Sequence, residues 1–477
     1  MPSRVEALVR SAVTRTLATV ADVNRSLMKE GANPFLSNDH EPLRDERTLT
    51  DLKVRGEIPP ELDGRYLRNG PNPISPPKAA AHHWFLGDAM LHGVRLRNGK
   101  AEWYRNRWIR GREVSNALRE RQAPGTRRLF DVVNTNIVPH AGRAWAVVEA
   151  GGVPVRIGQE LETIAHDAFG GTLRRGFSAH PHTDPDTGEM HAICYDALDP
   201  DSIRYTVVDR SGDVRREEPI PVKHGPMIHD CMITQHYVII LDLPVTFSMK
   251  RMLKGYRLPY AWNPAHPARV GLLPREGSAK DVVWCDVDPC YVFHPCNGFE
   301  TPDGKVILDV CAHDKMFVES TQGPDSARVP FERWTIDPGS RKVTRQVLDG
   351  ADQEFPRLNE TRLSKPYRYA YCMGLTPRRA FIESATCLFK HDLEASSRQV
   401  HDFGPNSVPG EFVFVPKAHA RAEDDGWLMG FVLDQATQTT ELVILDAARF
   451  EAQPQARIEI PHRIPPGFHG NWFPTPA

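Results

Sequence analysis

The chain lacks any run near the ~18 consecutive apolar residues that a membrane-crossing helix requires, so membrane contact, if made, has to be peripheral. It lacks a dominant charge: 59 Lys and Arg against 61 Asp and Glu leave a formal net charge of −2. Nothing in that balance favours nucleic acid as a partner. Its eight cysteines (Cys194, Cys231, Cys285, Cys290, Cys296, Cys311, Cys372 and Cys387) form no CxxC pair, which leaves zinc ribbons and thioredoxin-type motifs unsupported. None falls in the first 193 or last 90 residues. With no secretory signal, a reducing, cytoplasmic setting is expected. A clean repeat of ~40–45 residues, the mark of signature-bearing propellers, is missing too. Glycine (34) and proline (41) are scattered, which suits many short strands joined by turns rather than low complexity.

What is present begins with an amphipathic pattern. Ser3 and Glu6 have capping-box spacing, and Val5, Leu8, Val9, Val13, Leu17, Val20, Val23 and Leu27 recur near a 3.6-residue period. Arg4, Arg10, Arg15, Arg25 and Lys29 lie between them. This predicts a helix over 3–29 within a separate N-terminal unit, 1–32. The helix either packs on the main domain or lies against anionic lipid. From about residue 45 the pattern turns to β. Runs such as Tyr237–Leu241, Lys305–Val310 and Glu441–Leu445 alternate with turn signals such as Asn98-Gly99, Asp186-Thr187-Gly188 and Asp303-Gly304. Strands at this spacing point to a closed or radially repeated β architecture, a single domain over 33–477. Residues 243–275 break the pattern. They mix Phe247, Met249, Met252, Leu253, Tyr256, Tyr260 and Trp262 with Lys250, Arg251, Lys254 and Arg257. A loop of that length is read as a packed loop or as a lid or membrane-dipping entrance for an apolar substrate.

Four of the 20 histidines stand out by context. His180 lies in Phe177-Ser178-Ala179-His180-Pro181, His229 in Met227-Ile228-His229-Asp230, and His294 in Tyr291-Val292-Phe293-His294-Pro295. His469 lies in Pro465-Pro466-Gly467-Phe468-His469-Gly470-Asn471-Trp472, close to a terminus where chains usually fray. Each has small, apolar or aromatic neighbours and so reads as pointing inward. Three glutamates are equally out of place: Glu149 after Ala146-Val147-Val148, Glu354 before Phe355-Pro356, and Glu411 before Phe412-Val413-Phe414. Buried glutamate needs a partner, and a metal-bound imidazole usually donates its other N–H to a carboxylate or carbonyl.

With these motifs in order, the sequence resembles the carotenoid cleavage oxygenases, a family of non-haem iron enzymes. Further landmarks are Asn33-Pro34-Phe35-Leu36, Gly56 to Gly64, Arg68 to Pro73, His83 to Met90, and Asn134-Thr135-Asn136. The resemblance implies an all-β fold, a seven-bladed β-propeller roofed by helices and loops, with one Fe(2+) per chain on its axis. It implies His180, His229, His294 and His469 as iron ligands. It implies Glu149 behind His229, Glu354 behind His294 and Glu411 behind His469, with no glutamate for His180. Ala89 departs from the family's usual glycine, a cost if that position needs φ > 0. Four neutral imidazoles differ from the two-His-one-carboxylate triad of many iron oxygenases. The implied activity is cleavage of a conjugated C=C bond with O2 as co-substrate, giving two carbonyl products. No side chain beyond the iron site is required as an acid or base.

Family members that cleave hydroxystilbenes place a lysine directly before the first of these glutamates and use a tyrosine from an upstream loop. Here the first position is Val148, and residues 117–131 hold no tyrosine. An apolar polyene, a carotenoid or apocarotenoid, is therefore the expected substrate, with Val148, Phe293 and Phe355 as tunnel-lining candidates. The alternatives are a hydroxystilbene dioxygenase and, in another class, an isomerohydrolase-like or purely ligand-binding propeller.

Overall fold

The computed structural model describes residues 19–128, 131–321, 323, 325–376 and 385–475. The helix expected over 3–29 lies largely outside the described residues, and its described part is helical over 19–27. Elsewhere strands form where branched and aromatic residues run between turn residues. Val306–His313 is buried along its whole length, whereas Lys342–Asp349 is only partly covered. Asn98 and Gly99, at φ of 50° and 70°, close the hairpin between Ala89–Arg97 and Lys100–Trp108. Two successive positive φ values match the twist of the paired strands.

Among the described residues the strands assemble into six sheets of four or more strands and one two-stranded ribbon, in a β-propeller arrangement. The seven blades that the resemblance implies do not stand as seven separate sheets of four or more strands, because one sheet has eight strands. It consists of two antiparallel four-stranded runs, Cys231–Ile233 to Val283–Asp286 and Tyr291–Glu300 to Lys342–Asp349. A single parallel pair, Asp286 with Lys342, joins them. The largest buried cluster runs from Ile193 to Phe450 and packs successive sheets together.

Early and late strands pair with each other to close the ring. Gly470–Pro474 pairs with Gly64–Pro71 in the first sheet, and Val54–Gly56 pairs with Ala456–Ile460 in the last. The C-terminal stretch is held by ladder hydrogen bonds, which is why it does not fray. Ala89 opens a strand and is not at positive φ, so its methyl group carries no backbone strain.

Residues 243–275 are not an irregular loop. Val245–Phe247 and Tyr260–Trp262 form the ribbon, and Met249–Leu253 is a short helix capped by Ser248. Arg269–Pro274 is an inner strand of the eight-stranded sheet, fixed by burial of Val270, Leu272 and Leu273. Helix 19–27 docks on this segment. Asn24 Nδ2 donates to the Leu253 carbonyl (2.6 Å), and Arg25 Nε donates to that of Gly255 (2.9 Å). Gly255 sits at φ 94°, and a Cβ there would come within 2.7 Å of the Arg25 nitrogen.

Candidate metal centre

Each of the four histidines stands in or just ahead of an edge strand. His180 precedes His182–Thr183, His229 precedes Cys231–Ile233, His294 lies within Tyr291–Glu300, and His469 precedes Gly470–Pro474. These edges meet at one point. Ring centroids are separated by 4.4 Å (His180–His229), 4.6 Å (His180–His469), 4.8 Å (His294–His469) and 5.1 Å (His229–His294). Nitrogens of His180, His229 and His294 all lie within 4.8 Å of one another. His469 falls outside that tightest group while its ring still borders His180 and His294.

The carboxylates arrive from other sheets. Glu149 accepts from His229 Nδ1 (3.1 Å), Glu354 from His294 Nδ1 (2.7 Å) and Glu411 from His469 Nδ1 (2.9 Å). With Nδ1 donating, Nε2 of each neutral ring carries its lone pair. Yet His229 Nε2 and His294 Nε2 stand only 3.3 Å apart, and buried His180 Nε2 has no hydrogen-bond partner among the described residues. Lone pairs converging in a buried space repel unless a cation lies between them. The donor set therefore fits a metal ion.

Local backbone distortion aims two of these residues. The pairing of Tyr291–Glu300 with its neighbour slips on both sides of Pro295, and that of Gln353–Arg357 slips between Glu354 and Arg357. Bulges of this kind re-aim side chains and accommodate a proline that cannot donate. Phe355 is held at φ 53°, a left-handed conformation costly for a bulky residue. Its N–H donates to Glu354 Oε2 (2.6 Å), so the strained residue also anchors the carboxylate.

Each glutamate has a further donor that the sequence did not reveal. Tyr195 Oη donates to Glu149 (2.8 Å), His313 Nε2 bonds Glu354 (2.9 Å), and Arg357 Nε donates to Glu411 (2.8 Å). Tyr195 and His313 each end an apolar strand, and Arg357 follows Phe355-Pro356. A polar residue closing a buried strand is the signal that would have found them. Burial opposes ionisation of Glu354, yet His294 and His313 hold its carboxyl far below the usual range. Arg357 and His469 do the same for Glu411. Burial pushes the His469 imidazole down to about 4, against the pull of Glu411. Burial and the neighbouring imidazoles push His180 well below its usual value. For His294 burial acts in the same direction, but Glu354 outweighs it.

Two of the three apolar candidates border the histidine rings, and no described contact brings Val148 to them. Phe355 lies 4.7 Å from the His294 ring and 4.9 Å from that of His469, and Phe293 lies 4.9 Å from His229. Val148 is half-buried and packs on the apolar cluster beneath the first two sheets.

The chain matches the family model described as Retinal pigment epithelial membrane protein over residues 40–474. It is 42% identical to a Carotenoid cleavage oxygenase of Mycobacterium tuberculosis, over 94% of this chain and 98% of that protein. Among solved structures, Pseudomonas brassicacearum lignostilbene dioxygenase superposes with a TM-score of 0.84 at 26% identity, covering 94% of this chain and all of that one. The cobalt-substituted Synechocystis apocarotenoid oxygenase superposes with a TM-score of 0.81 at 28% identity, covering 92% and 98%. The chain belongs to the carotenoid cleavage oxygenase family.

Proposed function

We propose that this protein is an Fe(II)-dependent dioxygenase that cleaves a conjugated C=C bond of a carotenoid or apocarotenoid into two aldehyde products. The observation that carries the reading is the inward convergence of His180, His229, His294 and His469, with three of them tied outward to Glu149, Glu354 and Glu411. These four imidazoles would hold the ion. When bound, Fe(II) supplies the activation of O2. The three glutamates keep their imidazoles in one tautomer and offset the ion's charge. Phe293 and Phe355 exclude water and present an apolar wall to a polyene. The name of the Mycobacterium tuberculosis relative and that of the Synechocystis structure support the substrate class.

The Pseudomonas lignostilbene dioxygenase favours a second reading, a hydroxystilbene substrate. Val148 stands against it, since valine offers nothing to a phenol oxygen. Purified protein loaded with Fe(II) and given either an apocarotenal or a 4-hydroxystilbene separates the two readings. Cleavage of the first supports the proposal, and cleavage of the second alone overturns it.

For the architecture, a single propeller domain over 33–477 with seven blades is the reading that divides the eight-stranded sheet at its lone Asp286–Lys342 link. For the entrance, helix 19–27 and the segment it docks on supply a lipid-facing patch. Val20, Val23 and Leu27, on one helical face, are 42%, 53% and 73% exposed, and Met249 is 45% exposed. Lys29, Lys250 and Lys254, exposed and close to them in sequence, add positive charge suited to anionic headgroups. Phe247 and Tyr260 line the same small cavity, about 10 Å³, as Tyr195, the donor to Glu149. A cavity shared with the residue behind Glu149 supports an entrance at this segment.

A further inference from the structure

His180 is the odd member of the set, with no glutamate behind it. Among the described residues nothing hydrogen-bonds directly to its Nδ1, and the nearest carboxylate oxygen is Asp230 Oδ2 at 3.9 Å. Asp230 is buried and firmly held. Its Oδ1 accepts from His182 Nε2 (2.9 Å) and from the Cys231 N–H (2.6 Å). Both donors converge on one oxygen, which leaves Oδ2 directed at His180. The clamp is reciprocal: His182 lies two residues after His180, and Asp230 directly follows His229. One short stretch thus supplies an imidazole to the centre and a carboxylate to the neighbouring imidazole.

We propose that Asp230, locked by His182, is the positioning carboxylate for His180, the counterpart of Glu149, Glu354 and Glu411 for the other three rings. The inference rests on the reading of the four imidazoles as metal ligands. A carboxylate facing Nδ1–H makes the far nitrogen a better donor to a cation and fixes the ring's tautomer. The gap of 3.9 Å is too long for a hydrogen bond, and a small rotation of either side chain would close it. Asp230 touches no substrate in this role. It acts only through His180.

The test measures metal rather than turnover. Fe(II) affinity is determined by chelator competition on the full chain, and Co(II) loading adds a d–d spectrum that reports ligand geometry. Asp230→Asn keeps the acceptor used by His182 and Cys231 but removes the charge. It should weaken Fe(II) binding 10–100-fold, shift the Co(II) spectrum and leave thermal unfolding of the metal-free protein within a few degrees of the parent. Because Asp230→Asn alone could disturb folding, His182 provides the second arm. His182→Gln, which can still donate to Asp230, should bind metal nearly as the parent does, whereas His182→Leu should bind 10-fold or more weakly. Parental affinity and spectrum in both Asp230→Asn and His182→Leu would overturn the proposal. A parent that binds no metal at all, like His229→Ala, would instead overturn the four-imidazole reading beneath it.

Discussion

Arg357 shows how a single side chain stabilises the centre. It is part of a buried pair with Glu411 and also donates to the Gly470 carbonyl at 3.0 Å. Arg357→Met would strand a buried carboxylate, a change that costs about 3 kcal/mol. Thermal unfolding of the metal-free protein should register it, and Fe(II) affinity should fall as His469 loses its fixed partner. Protons should act on the same residues. His469 is held down to about 4, below the ordinary value near 6.5 for an unfolded chain, so across that window the unfolded state binds more protons. Stability of the metal-free protein should therefore be present above roughly pH 6.5 and be lost as pH falls toward 4, by about 3 kcal/mol from this group. The lowered carboxyls of Glu354 and Glu411 add to the loss on further acidification, since stability from a depressed acid goes as pH drops through its folded value. Urea midpoints between roughly pH 2 and pH 7.5 check both, with the His469 loss above pH 4 and the carboxyl loss below it. The histidines and glutamates of the centre were legible in the sequence because each is a polar residue in an apolar context. Tyr195, His313 and Arg357 were not, because their partners come from other sheets and no local spacing records a cross-sheet contact.

At the scale of elements, the C-terminal strand joins fold and site. Gly470–Pro474 zips onto Gly64–Pro71, and a Cβ on Gly470 would lie 2.7 Å from the Leu67 carbonyl oxygen. Gly470→Ala should therefore cost roughly 1–3 kcal/mol through backbone displacement. Truncation after Pro466 should remove the strand and His469 together, abolishing metal binding and lowering thermal stability. His469→Ala should abolish tight metal binding while keeping the strand and most of the stability. Metal retained by the truncated protein would contradict the role given to this terminus. The terminal motif was readable as a buried His between glycines, but its partner strand was not, since the two are some 400 residues apart in sequence. Residues 243–275 were misread in part. Their aromatic and basic mixture hid two ribbon strands, and the strand Arg269–Pro274 was masked by the prolines around it.

For the whole molecule, alternating runs and turns made the all-β class legible, and the resemblance supplied the propeller. The number of separate sheets was not legible, because the Asp286–Lys342 link that fuses two four-stranded runs has no signature in either strand. A surface prediction belongs here too. Replacing Val23, Leu27 and Met249 with aspartate should release the protein from anionic liposomes in a flotation assay while leaving Fe(II) content unchanged. Unaltered flotation would remove the lipid-facing role of this patch. The central claim is oxidative cleavage of a polyene at a four-imidazole iron centre. Its most direct test is mass analysis of products from iron-loaded protein and a single apocarotenal under O2. The account predicts two carbonyl fragments whose summed mass equals that of substrate plus O2, formed by the parent and not by His229→Ala. Intact apocarotenal in the presence of fully iron-loaded parent, with a 4-hydroxystilbene split into two aldehydes by the same sample, would contradict it.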